Sequence, residues 1–150
     1  LELEIKPFHL PDVMQAALGI VRPQALQKGL DMELEIEEGL PAYAKGDQQR
    51  IRQVLLNLLF NAVKFTPRTG TIELRAERED SRLRILVDDS GPGIPLELRE
   101  QVFHRFYQAS DGTGRPGGLG LGLAITTGVV AAHGGRVTIS DSALGVLVLR

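Results

Sequence analysis

The segment from about Asp47 to Phe65 constrains the fold most, because its apolar residues recur at helical spacing on more than one side. Asp47 stands at the start of this segment, where a carboxylate can accept a hydrogen bond from the first turn as the N-cap. Leu56 and Phe60 make much of the side opposite the main stripe apolar as well. A helix of this kind has to be covered by other elements of the fold. Its main apolar stripe consists of Ile51, Val54, Leu55, Leu58, Leu59 and Ala62.

Helical and alternating patterns follow one another along the rest of the chain. Further helices are predicted from Pro11 to about Lys28, after Pro95 and over Leu119–His133. Gly29 is expected to stop the first of these helices, and Pro23 kinks it or marks its last turns. Strands are predicted at Leu1–Ile5 (an edge strand), Met32–Ile36, Tyr43–Lys45, Thr71–Arg78, Leu83–Asp88, Arg136–Ser140 and Val146–Leu149, the last four as two hairpins.

These patterns predict one domain over residues 1–150, an α+β two-layer sandwich. Its mixed, mostly antiparallel sheet is covered on one face by about three helices. The net charge of −2 gives no strong basic field, so no nucleic-acid partner is expected. The absence of cysteine excludes disulfides and thiolate metal sites and fits a reducing compartment. We expect a cytoplasmic domain without direct membrane contact, and we interpret the opening without methionine as that of a fragment of a longer protein.

Glycines alternate with leucines in the string GGLGLGLAI, at residues 117–125, which leads into the helix predicted over Leu119–His133. Glycine allows a backbone to approach a ligand closely, and the start of a helix points unpaired N–H groups at one place. This combination favours an anion site, most often for phosphate. The alternative is a glycine-rich loop without a ligand.

Polar side chains lie between the apolar surfaces of the central helix. Asn57, Asn61 and Lys64 are spaced so that they share one face. An asparagine carbonyl is a suitable ligand for Mg²⁺, and a lysine suits phosphate. From these residues alone, the alternative is an asparagine pair that caps neighbouring loops beside a solvated lysine.

A third polar motif, DDSGPGI, follows the predicted strand that ends at Asp88. A carboxylate beside an open glycine turn can accept a hydrogen bond from an exocyclic amine and leaves room for a flat ring. Asp and Gly are also common turn residues, so this motif alone carries little weight.

Four motifs in order resemble the ATP-binding catalytic domain of sensor histidine kinases. These are NLLFNAVKF (57–65), DDSGPGI (88–94), VFHRFYQ (102–108) and GGLGLGLAI (117–125), which look like the family's asparagine, first glycine, phenylalanine and second glycine boxes. The resemblance extends over nearly the whole chain. It implies the two-layer sandwich shared with gyrase-type and Hsp90-type ATPases.

The resemblance implies the following roles. Asn61 ligates the Mg²⁺ that bridges the phosphates of ATP, and Asn57 supports the same cluster. Lys64 and Arg105 contact phosphate as further catalytic residues, and Asp89 accepts from the adenine amino group. The segment from Gln108 to Gly117 forms an ATP lid that is ordered by the γ-phosphate. The remaining residues around the nucleotide are Phe65, Gly91, Gly93, Ile94, Tyr107, Gly118, Leu119, Gly120, Leu121, Gly122 and Leu123.

The function implied is donation of the γ-phosphoryl group of Mg-ATP to a histidine on a separate, upstream dimerisation domain in two-component signalling. The full-length protein would be a dimer, with a response regulator as its further partner. None of His9, His104 and His133 resembles the phosphoacceptor, and His133 is placed to cap the helix before Gly134.

Two alternatives belong to other classes. One is a degenerate nucleotide- or partner-binding module, since Leu119 replaces the serine or threonine of many relatives and the final segment is short. The other is a conformational ATPase of the gyrase or chaperone type. That alternative is disfavoured because no glutamate stands between Asp47 and Phe65 to activate water.

Overall fold

Helices and strands follow one another along the chain largely in the order that the helical and alternating sequence patterns predicted. The structure, a computed structural model, describes residues 2–90, 120–138 and 145–149, with the backbone alone for 120–123 and 145–149. Within these ranges the elements are β1 (Lys6–His9), α1 (Leu10–Gln27), β2 (Asp31–Ile36), β3 (Tyr43–Gly46), α2 (Gln48–Phe65), β4 (Thr71–Glu79), β5 (Arg82–Asp89), α3 (Gly120–Ala132), β6 (Arg136–Thr138) and β7 (Gly145–Leu149).

A five-stranded sheet has the order β2-β4-β5-β7-β6. Strand β2 runs parallel to β4, and the other neighbours are antiparallel, so the expected mixed sheet is confirmed. Strands β1 and β3 form a separate antiparallel pair. In the β4–β5 hairpin Ile72 stands opposite Asp89 and Glu73 opposite Asp88.

The core lies between one face of the sheet and the helices, which confirms the predicted sandwich. Helix α2 packs against both α1 and α3 and is therefore the central helix of its layer. All six residues of its predicted stripe are at most 1% exposed. The sheet contributes the side chains that alternate toward the helices, namely Ile72, Leu74, Ala76, Ile85 and Val87.

Two helices end at glycines with positive φ, as the sequence predicted for Gly29. Gly29 has φ +69°, and the N–H of Leu30 donates to the carbonyl of Ala25 at 2.9 Å. Gly134 has φ +76° and ends α3 with the same bonding pattern. Both are Schellman motifs, in which glycine adopts the left-handed conformation without a Cβ penalty. Pro23 lies in the last turns of α1, without ending it.

The predicted edge strand at Leu1–Ile5 is wrong. The first strand is Lys6–His9, because Phe8 is the side chain that reaches the core, at 3% exposure, whereas Ile5 is 52% exposed. Over residues 2–5 only Leu3 is partly buried, so the alternation there does not reflect burial. The helix expected after Pro95 lies outside the described residues. In the part of the chain that the structure describes, no helix is both long and apolar enough to span a membrane.

Candidate functional site

The polar face of α2 runs from the interior to the solvent. Asn57 is half-buried, Asn61 is only 7% exposed, and Lys64 is exposed. The Lys64 ammonium lies 5.9 Å from the centroid of the Phe65 ring. A buried amide next to an exposed cation is an arrangement that can serve a ligand entering from the end of α2.

The two aspartates at the end of β5 lie on opposite faces of the sheet. Side chains alternate along a strand, so Asp89, opposite Ile72, lies on the face that the helices cover. Asp88, opposite Glu73, lies on the outer face. Only Asp89 is therefore on the same side of the sheet as Asn61.

The C-terminal ends of α2 and β5 meet at a tight joint. The N–H of Ser90 donates to the Thr71 carbonyl at 3.0 Å, and the N–H of Thr71 donates to Ser90 Oγ at 2.9 Å. A Cβ on Gly70 would stand 2.6 Å from both Ser90 Oγ and Thr66 Cγ2. Glycine is thus required for the turn after α2 to approach the residue that follows Asp89. This joint brings the last turn of α2, one turn after Asn61, to the C-terminal end of β5, where Asp89 lies.

Thr66 contributes a buried polar atom that the sequence analysis did not single out. The residue is fully buried, and its Oγ1 has no hydrogen-bond partner among the residues described. Burying an unpaired hydroxyl is unfavourable. Such an atom at the joint between α2 and β5 is therefore suited to hydrogen-bond a ligand or a water. Its position directly after the helix, before Pro67, is the signal that sequence reasoning passed over.

The N-terminal end of α2 is held by two other segments. Asp47 is the N-cap, as predicted, and its carboxylate accepts from the N–H of Arg50 at 3.3 Å and of Glu4 at 3.0 Å. The hydrogen bond from Glu4 in particular holds the pKa of Asp47 below its usual value. The N–H of Asp47 in turn donates to His133 Nε2 at 3.0 Å.

His133 therefore caps two helices. Its Nδ1 lies 2.9 Å from the Val129 carbonyl in the last turn of α3. Because Nε2 accepts from the Asp47 backbone, the proton resides on Nδ1, which donates to Val129. The predicted capping role is confirmed, and the contact with α2 is an addition that the sequence did not indicate.

A shallow cavity of 280 Å³ opens at the end of β5 and is lined by Thr71, Glu73, Asp88, Asp89 and Ser90.

Burial raises the pKa of Glu73, and the neighbouring carboxylates of Glu35, Glu33 and Asp88 raise it further. Arg75, whose Nε is 3.0 Å from Glu73 Oε1, opposes this shift. A larger cavity of 420 Å³, beside Tyr43 and Arg82, lies at the other end of β5.

Part of the predicted site lies outside the described residues: Gly91, Gly93, Ile94, Arg105, Tyr107, Gly118, Leu119 and the lid segment 108–117. The backbone of Gly120–Leu123 forms the first turn of α3. The phosphate loop was expected to lead into a helix, and α3 begins within the second glycine motif.

The chain matches the model of the histidine kinase-, DNA gyrase B- and HSP90-like ATPases over residues 46–147. It therefore belongs to this family. It is 41% identical to the sensor histidine kinase AruS of Pseudomonas aeruginosa in an alignment of 144 residues that covers 92% of this chain and 14% of AruS. The chain thus spans about one seventh of the length of that relative.

Solved structures show the same fold. The catalytic domain of the histidine kinase ThkA superposes with a TM-score of 0.81 at 29% identity, covering 97% of this chain and 94% of that one. Full-length ShkA in complex with AMPPNP gives a TM-score of 0.83 at 33% identity, covering 99% of this chain and 30% of ShkA. ThkA is also similar to this chain in a complex with the response regulator protein TrrA, at 26% identity and a TM-score of 0.78, covering 98% of this chain and 41% of ThkA.

Proposed function

We propose that this member of the histidine kinase-, DNA gyrase B- and HSP90-like ATPases is the catalytic domain of a sensor histidine kinase. It binds Mg-ATP and donates the γ-phosphoryl group to a histidine on a separate dimerisation domain of the same protein. A response regulator then receives the phosphoryl group. The similarity to AruS, to ShkA with bound AMPPNP and to ThkA with its response regulator supports this proposal.

The observation that carries the proposal is that Asn61, at 7% exposure, and Asp89 lie on the same side of the sheet. The joint after α2 adds Thr66, whose buried Oγ1 has no hydrogen-bond partner among the described residues. These groups fit Mg-ATP, because an amide oxygen is a hard ligand and a carboxylate at a strand end can accept from an adenine amino group.

Phosphoryl transfer depends on positioning and charge neutralisation, and different residues of the proposed site contribute to each. Asn61, with Asn57 one turn earlier, holds the Mg²⁺ that neutralises phosphate charge. Lys64 is exposed at the mouth of the site and attracts the phosphates, together with Arg105. The first turn of α3, Gly120–Leu123, offers backbone N–H groups to the same anion.

A conformational ATPase of the gyrase type is the less favoured function. Helix α2 carries no acidic residue between Gln48 and Phe65, so it offers no general base for an attacking water. The chain is suited to hold ATP for an external nucleophile and not for rapid hydrolysis.

Calorimetric titration of the chain with ATP and GTP, with and without Mg²⁺, tests the proposal. We expect ATP to bind more tightly than GTP by roughly tenfold or more, because guanine would present a carbonyl oxygen to the Asp89 carboxylate, so that two acceptors would face each other. We also expect Mg²⁺ to strengthen ATP binding, and Asn61→Ala to remove that gain. Gln53→Ala is the matched control, since it deletes an exposed amide from the same helix. Equal affinity for ATP and GTP, or a full Mg²⁺ effect in Asn61→Ala, would overturn the assignment.

A further inference from the structure

Lys28 connects the end of α1 to the end of α2. The residue is half-buried, and its ammonium donates to the backbone carbonyls of Val63 and Lys64, each at 2.8 Å. Both carbonyls belong to the last turn of α2, between Asn61 and Thr66. A lysine that is 36 residues away in sequence from Lys64 thus caps the helix that carries the metal ligand of the proposed function.

The sequence after α2 explains why these two carbonyls need an external donor. In a continuing helix, the Val63 carbonyl would accept from the N–H of residue 67, but residue 67 is a proline and has none. The Lys64 carbonyl would accept from residue 68, but the backbone turns extended at Thr66, with φ −80° and ψ 126°. One ammonium provides donors for both carbonyls and places a positive charge at the negative end of the helix dipole.

Lys28 is itself held in a defined place. It is the C-cap residue of α1, and its N–H donates to the Ala25 carbonyl at 3.1 Å. The next residue, Gly29, closes the Schellman motif, and the N–H of Asp31 donates to the Gly70 carbonyl at 3.0 Å. On the other side of Lys28, the Arg68 guanidinium donates to the Gln27 carbonyl at 3.4 Å. The end of α1 is therefore fastened to the turn after α2 on both sides of Lys28, which holds the Lys28 backbone beside the two carbonyls.

We propose that Lys28 is a positioning residue for the nucleotide site: it fixes the last turn of α2 and thereby the orientation of Asn61 toward Mg²⁺. The inference rests on the proposed function. Asn61 lies two and three residues before the capped carbonyls, and in an α-helix its own carbonyl accepts from the N–H of Phe65. Loosening of the last turn would therefore also release the backbone of Asn61. Lys28 does not touch the ligand, and its effect passes through the helix. Removal of a direct hydrogen-bond partner of a metal ligand commonly weakens metal affinity by about 10- to 100-fold, and the lower end of this range is expected for Lys28 because it acts through the helix backbone.

The test compares Lys28→Met, Lys28→Arg and the wild-type chain. Methionine keeps the apolar stem without donors, and arginine restores a cation with several N–H groups. We expect the ratio of ATP affinity with Mg²⁺ to that without Mg²⁺ to fall about tenfold in Lys28→Met and to recover substantially in Lys28→Arg. Lys45→Met is the matched control, because Lys45 is an exposed lysine on β3. It is expected to leave that ratio unchanged.

Titrations are made well below the thermal midpoint of each variant, so that loss of folded protein does not enter the affinity. If Lys28→Met lowered the midpoint but kept the full Mg²⁺ effect, Lys28 would be structural only and the inference would be wrong. Lack of rescue by arginine, with intact folding, would equally contradict a role through the two carbonyls. Failure of the proposed function gives a different result, because the wild-type chain itself would then show no Mg²⁺-dependent ATP binding.

Discussion

Gly70→Ala probes the joint on which the candidate site depends. The added Cβ would stand 2.6 Å from Ser90 Oγ, 2.6 Å from Thr66 Cγ2 and 3.0 Å from the Pro67 carbonyl oxygen. The first two contacts are 0.8 Å shorter than the 3.4 Å at which ordinary van der Waals contact begins. Thr66 is fully buried, and Ser90 Oγ already accepts from the Thr71 N–H. Neither neighbour can yield without cost.

The strain of overpacking is about 1–3 kcal/mol. For a chain of this size, each kcal/mol lowers the thermal midpoint by about 2–4 °C, so we expect a decrease of roughly 2–12 °C. Urea unfolding should show a lower midpoint concentration at an unchanged slope. Because the turn after α2 has to move away from Ser90, the affinity for ATP is expected to fall as well.

Gly19→Ala is the control for this substitution. Gly19 is an exposed glycine within α1, and a Cβ there meets no atom within 4 Å. Alanine at this position should stabilise the chain by roughly 0.5–1 kcal/mol. An unchanged thermal midpoint in Gly70→Ala, alongside the expected gain in Gly19→Ala, would refute the argument that the joint requires glycine.

Two pH-dependent predictions follow from the shifted carboxylates. The pKa of Glu73 is raised in the folded state. Its ionised form therefore destabilises the folded state at pH values above the unfolded pKa of about 4.3. Glu73→Gln should therefore raise the thermal midpoint at pH 7, and the gain should vanish near pH 4; a loss at pH 7 would show that the attraction of Arg75 dominates. The pKa of Asp47 is lowered, so its contribution is present above about pH 4 and is lost as the pH falls through the folded value. Asp47→Asn, which keeps a capping oxygen, should lower the midpoint at pH 7 and converge with the wild type in acid; a difference that is independent of pH would contradict this origin.

Local patterns were sufficient to predict most of the fold. The stripe on α2 requires burial, the N-cap at Asp47 and the stop at Gly29 follow from local chemistry, and alternation identified the hairpin of β4 and β5. These features depend on residues a few positions apart, which a sequence displays directly. The strand at Lys6–His9 was missed because alternation in the preceding segment resembles a strand, whereas the actual pairing is decided by which side chain, Phe8, finds room in the core.

The candidate site divides in the same way. Residue types and spacing marked Asn61 as a candidate Mg²⁺ ligand, with an asparagine cap as the alternative, and the resemblance to sensor histidine kinases singled out Asp89. Three contacts are visible only in the tertiary structure. Lys28 caps α2, and His133 accepts a hydrogen bond from the backbone of Asp47. Gly70 leaves the space that lets Ser90 pack against the end of α2. Each of these contacts joins segments far apart in the chain, and donors such as a lysine ammonium can satisfy any nearby carbonyl. Their partners are therefore decided by packing, which brings the segments together, and not by the local sequence.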